Sequence, residues 1–177
     1  MGLAIFCPKS YDSAVPMELS FQTILLRLVV ATVLSGMIGI EREIHQKPAG
    51  VRTNALIGLG SAVMALTGVY IWTLAPTMTD PSRMASIVVQ GIGFIGAGAI
   101  MQASGSVHGL TTAATMWVVA GIGVACGLGF FTAALAVAVI TLILLAIFGP
   151  LDYRLMGSEA KEGKGFFKRF AREKEEK

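Results

Sequence analysis

Formal charge is scarce in this chain, and the scarcity is uneven. Of its 177 residues, 14% are Asp, Glu, Lys or Arg; an ordinary soluble domain carries about 25%. From Thr53 to Pro150 the only formal charges are Asp80 and Arg83. With 54% hydrophobic residues and a mean hydropathy of +0.71, the chain is too apolar for a water-soluble domain. Cysteine is nearly absent: Cys7 and Cys126 stand far apart and make neither a disulfide framework nor a zinc signature. Cys126 falls in a long apolar run and reads as a small buried hydrophobe. The two histidines, His45 and His108, are isolated in polar stretches. No nucleophile–base set, metal triad or phosphate loop is present, so neither catalysis nor a cofactor is expected. The basic residues are not interleaved with aromatics in the manner of an RNA-binding surface, so no nucleic-acid partner is expected.

Long apolar runs fill the space that charge leaves. Roughly 20 apolar residues cross a bilayer as a helix, and five segments approach that length: Leu19 to Ile40, Thr53 to Leu74, Met84 to Ala103, Leu110 to Gly127 and Phe130 to Phe148. Backbone groups in lipid must be satisfied within their own segment, so helix is the expected state for each. Gly149 and Pro150 read as the stop of the fifth. The short turn at Leu128 and Gly129 makes the last two an antiparallel hairpin. The expected fold is an all-α membrane protein, a bundle of five transmembrane helices over residues 19–150. Residues 1–18 read as an N-terminal extension without a signal peptide's basic and apolar regions, and Met17 offers an alternative start. Residues 151–177 read as a basic tail, too short for a core of its own.

Lys and Arg orient the bundle. Arg42, Lys47 and Arg52 lie between the first two segments, and eight of the fourteen basic residues follow Pro150. Basic loops face the cytoplasm, which places the N-terminus outside and the tail inside. Phe166, Phe167 and Phe170 beside Lys168, Arg169 and Arg172 fit either a short helix on anionic lipid or a solvated end.

The stretch VVQGIGFIGAGAIM places Gly91, Gly93 and Gly96 in a G-x-G-x-x-G pattern, with Gly98 next. A dinucleotide fingerprint follows a strand and precedes an acidic residue about 20 positions on. Here the glycines lie inside an apolar span, and no acidic residue follows Asp80 until Asp152. Close helix packing is the better reading, because small residues let membrane helices approach. Ser35 and Gly39, Gly58 and Ala62, and Gly123 and Gly127 repeat the four-residue spacing. Packing within one subunit, a subunit interface and a glycine-lined path remain open.

Four blocks now carry a resemblance: RLVVATVLSGMIGIERE, KPAGVRTNALIGLGSAV, DPSRMASIVVQGIGFIGAGAIM and VHGLTTAATMWVVAGIGVACGLG. In this order they resemble the MgtC/SapB family of bacterial inner-membrane proteins, from about Met17 to Phe148. The resemblance implies a multi-pass inner-membrane protein connected with growth at low magnesium and, in pathogenic members, with virulence inside host cells. Family members are often labelled magnesium transporters; some resemble regulators of other membrane proteins, including ATP synthase. Longer members carry a soluble C-terminal domain similar to ACT-like modules, where this chain has its basic tail. The expectation is a non-enzymatic regulator, homo-oligomeric, in contact with membrane lipids and another inner-membrane protein. The rival is an ion or small-solute transporter or channel.

Candidate functional groups are the polar residues in or near the spans. Arg27 lies eight residues into the first segment, where an arginine costs about 2.5–3.5 kcal/mol at mid-span; it either snorkels or pairs with Asp80. Asp80 also reads as a helix N-cap, with Pro81 at the first helical position and Arg83 in the first turn. Glu41, Arg42, Glu43, His45, Arg52, Thr53, Asn54, His108, Thr111 and Thr112 fall at cytoplasmic ends, and Thr111 or Thr112 offers a cap for the fourth segment. Magnesium prefers hard oxygen ligands, and Glu41 and Glu43 lie on the opposite side from Asp80, so one subunit cannot gather these carboxylates into a cage.

Overall fold

The computed structural model describes residues 20–75, 80, 82–103 and 106–155. Helices α1 (Phe21–Ile44) and α2 (Val51–Leu74) are followed by α3 (Ser82–Ala99). Strands β1 (Met101–Ala103) and β2 (Ser106–His108) then precede α4 (Leu110–Leu128) and α5 (Phe131–Leu155). Four helices contain a stretch long and apolar enough to cross a membrane: α1, α2, α4 and the Phe131–Phe148 part of α5. α3 is outside that set, because its eighteen residues include Arg83, Gln90 and four glycines.

Three expectations need correction. The third apolar segment does not stay helical to Ala103. α3 ends at Ala99, and Met101 pairs with His108 in a small antiparallel ribbon. The ribbon lets a sharp link between two helices satisfy its own backbone groups. α5 does not stop at Pro150 but continues to Leu155; a proline deletes one helical hydrogen bond and bends a helix without always ending it. Neither Thr111 nor Thr112 caps α4. Gly109 holds the N-cap position with φ +89° and no side-chain hydrogen bond, leaving the threonines inside the first turn.

α4 is the central helix and packs against all four others. Half of its span is buried, against 17% for α5. α5 turns Leu135, Ile140, Ile143, Leu144 and Ile147 outward. In water such a face would be a large apolar patch; in a bilayer it is the solvent-facing side. The hydroxyls of Thr32, Thr67, Thr115 and Thr141 each donate to the carbonyl four residues earlier. That habit satisfies these four hydroxyls within their own helices, whereas Ser35 Oγ in α1 is buried without a partner.

Glycines bring α1, α2 and α4 together. A Cβ on Gly39 would lie 2.6 Å from Val51 Cα, and one on Gly58 would run into the Ser35 side chain. A Cβ on Gly123 would strike Gly58 O and Ser61, and one on Gly127 would lie 2.5 Å from Ala62 O. These contacts fix the directions: α1 is antiparallel to α2, while α2 and α4 run parallel. Ala31, Ile38, Ala62, Val119, Ile122 and Cys126 close the core between them. The α3 glycines behave differently. Gly96 faces Ala113 at ordinary contact distance, 3.6 Å, whereas a Cβ on Gly91, Gly93 or Gly98 meets nothing within 4 Å.

Candidate functional site

The helix directions gather the C-terminus of α1 and the N-termini of α2 and α4 at one end of the bundle, here termed the polar end. The α1–α2 link is tight, with Gln46 at φ +52° and Ala49 at φ +60°. Non-glycine residues seldom adopt this region. Asn54, fully buried, secures it: its Nδ2 donates to Ala49 O at 2.5 Å and Gly50 O at 3.0 Å. Glu43 Oε2 accepts from Val51 N at 3.1 Å, so the first turn of α2 is capped by a side chain from α1. Gly50 leaves the room, since a Cβ there would stand 2.8 Å from that oxygen.

Arg42 is the unusual group at this end. It is 5% exposed, and its Nη2 donates to Thr112 Oγ1 at 3.3 Å while Nε has no partner. Glu41 Oε1 pairs with His45 Nδ1 at 3.1 Å, and its Oε2 is buried without a partner. Asn54 Oδ1 is likewise unpartnered. Arg52, Thr53 and Thr111 stand exposed around this cluster. Among the described residues, no three His, Cys, Asp or Glu side chains come close enough to hold a metal ion.

The opposite end holds Arg27, which is 6% exposed. Its Nη1 donates to Gly127 O at 2.8 Å. α4 closes there in a Schellman turn, with Gly129 N on Cys126 O and Phe130 N on Ala125 O. Gly129 has φ +84°, and a Cβ on it would lie 2.9 Å from Arg27 Nη2. The expected Arg27–Asp80 pair is therefore not formed. The last carbonyls of α4 are acceptors already in place for the guanidinium, and the Asp80 carboxylate is engaged elsewhere. It accepts from Ser82 N at 2.8 Å and from Ser82 Oγ at 2.7 Å, which is N-cap geometry. These two bonds, helped by the charge of Arg83, hold the Asp80 carboxyl below the usual carboxylate range. Arg83 itself is exposed.

Sequence reasoning picked out Arg42, Asn54 and Thr112 as polar residues at helix ends but did not join them. It passed over the cap that Glu43 supplies, for which a carboxylate eight residues before Val51 is the only trace.

Four long apolar helices around a shared core, with a buried guanidinium at each end of the central one, define a multi-pass helical membrane protein. Residues 28–154 match the MgtC family, and the chain belongs to that family. It is 43% identical over 136 residues to the Escherichia coli K12 protein named "Putative magnesium transporter YhiD", covering 75% of this chain and 63% of the relative. It is 49% identical over 118 residues to Protein MgtC of Salmonella typhimurium LT2, covering 67% of this chain and 49% of the relative. A Haemophilus influenzae protein is 39% identical over 134 residues, covering 72% of this chain and 56% of the relative. The chain thus spans between about half and two thirds of the length of these relatives. No solved structure matches it.

Proposed function

We propose that this protein is a non-enzymatic regulator in the bacterial inner membrane, acting in magnesium-linked homeostasis. It works by docking, on further copies of itself and on another inner-membrane protein. One observation carries the reading: the two sets of glycines face different ways. Gly39, Gly58, Gly123 and Gly127 of α1, α2 and α4 are consumed in shutting the core, while Gly36, Gly60 and Gly121 stand singly in open space. Those of α3 at positions 91, 93 and 98 are left open beside an exposed Phe94 and Ile95. A small-residue face toward lipid suits helix association, and the close glycine contacts fill the space between α1, α2 and α4. On this reading α3 is a fifth span, the N-terminus is outside, and the polar end faces the cytoplasm with Lys47 and Arg52.

The second reading is transport of an ion or small solute, favoured by the name that the Escherichia coli K12 relative bears. Any such path would run between copies. Liposomes holding purified protein and an entrapped magnesium indicator separate the two. The regulator reading expects the signal of empty liposomes, and a protein-dependent magnesium signal overturns it. Orientation is checked by placing a cysteine at Lys47: an impermeant thiol reagent outside intact cells should leave it unlabelled.

A further inference from the structure

The polar end contains an electrostatic arrangement that the docking function does not use. We propose that Arg42 and the first turn of α4 form a binding site for a phosphate group.

Three observations support this. Arg42 is a buried cation whose guanidinium has one long neutral contact, to Thr112 Oγ1, and an unpartnered Nε. Among the described residues no carboxylate lies within ion-pair distance of it; the one ion pair there joins Glu41 to His45. The neighbouring Glu41 carboxylate acts on Arg42 only from beyond that distance, and a buried charge with no counter-charge in contact is expensive, so Arg42 still calls for an anion. The second observation is the α4 N-terminus. Gly109 provides no side-chain cap, and Ala113 N is the first amide to bond back, to Gly109 O at 2.9 Å. The N–H groups of Leu110, Thr111 and Thr112 therefore have no intrahelical acceptor. The helix dipole places partial positive charge at this point, a preformed anion site. The third observation is their junction. Thr112 belongs to that first turn, so the cation and the positive helix end meet at one residue. Each destabilises the other, and a single oxyanion would satisfy both.

Phosphate fits the donors. Guanidinium and backbone N–H groups both favour its oxygens, and the guanidinium fork grips it in two places. Access is through the exposed Leu110 and Thr111. The site's depth suggests where the phosphate originates. Arg42 is two residues from the end of α1, and the end of a helix that crosses a bilayer meets the headgroup layer. A headgroup phosphate and free inorganic phosphate share the required chemistry.

The test uses purified protein in detergent, with melting temperature and native mass spectrometry as readouts. Inorganic phosphate, phosphatidylglycerol and phosphatidylcholine are added separately. The expected result is a rise in melting temperature and one retained phosphate-bearing species per chain. A response to phosphatidylglycerol alone assigns the headgroup as the source; a response to inorganic phosphate assigns the free ion. Arg42→Gln should bind about tenfold more weakly or worse, the loss of a charged hydrogen-bonding partner. Arg42→Lys, which retains the charge without the fork, should fall between. Arg27→Gln should respond like the wild type even if its baseline melting temperature drops. The basic tail is identical in all these proteins, so its own attraction to anionic lipid cancels in the comparison. No response to any added ligand, as when a carboxylate of this or another chain fills the site, overturns the proposal. So does an equal response in Arg42→Gln and wild type.

Discussion

The two ends of α4 make the most instructive contrast in the molecule. Each receives an arginine from α1, and the two are separated by fifteen positions, roughly 22 Å along the helix. Arg27 reaches the C-terminus, where partial negative charge and a free carbonyl await a cation. Arg42 reaches the N-terminus, where the helix end is itself positive. Each keeps an Nε without a partner, but the contact of the first is to a carbonyl at a negative helix end and that of the second is to a neutral hydroxyl at a positive one. Two equally buried cations of one residue type thus differ in role because of helix direction alone. Arg27 secures the turn into α5, whereas Arg42 is held ready for an anion.

The contrast depends on α4 being fixed in place between its ends, and the most damaging change tests that. Gly123→Leu drives a side chain into Gly58 O and Ser61, and should cost more than about 3 kcal/mol. Gly121→Ala, into open space on the same helix, should leave the melting temperature within a degree or so of wild type on a scale where about 1 kcal/mol moves it by several degrees. Equal effects would mean that the core is not where the close glycines place it. Next is Arg27→Ala, which strips a charged donor from Gly127 O and should cost about 2 kcal/mol in thermal unfolding. Asn54→Ala follows, at about 1–2 kcal/mol, because it frees the Ala49 backbone from the amide that holds it. The smallest effect belongs to Asp80. Hydrogen bonds from Ser82 depress its folded pKa, so its contribution is present above the unfolded value and lost as pH falls through the folded one. Asp80→Asn should flatten that acid-limb loss slightly in a pH series of melting temperatures.

Much of the fold was legible in the apolar runs, because lipid demands continuous helix and the charged breaks fall close to the helix ends. α1, α2 and α4 appear near the expected bounds, although α1 carries Glu41, Arg42 and Glu43 inside its last turns. The ribbon was hidden because Ile100 and Met101 extend an apolar run whose helical hydrogen bonds the backbone abandons at Ala99. Asp80 announced its cap through the proline and serine after it. The Arg27 contact was not legible: its acceptor is a backbone carbonyl 100 residues away, and main-chain groups leave no mark in side-chain patterns. The glycines show both outcomes. The four-residue spacings of Ser35, Gly58, Gly123 and Gly127 pointed to the helices that pack. The conspicuous G-x-G-x-x-G run points mostly outward, since a pattern of small residues records capacity for contact and not which neighbour is present.

The two arginines do different work, and one side-by-side measurement tests this most directly. Melting temperatures of Arg27→Gln and Arg42→Gln are compared in the same detergent, without added phosphate or anionic lipid. Arg27→Gln should melt well below wild type, having lost a charge matched to its helix end. Arg42→Gln should melt at or above wild type, because replacing a buried charge that no carboxylate contacts by a neutral amide relieves more than it removes. Equal losses in the two variants would contradict the account and make Arg42 a structural tie like Arg27.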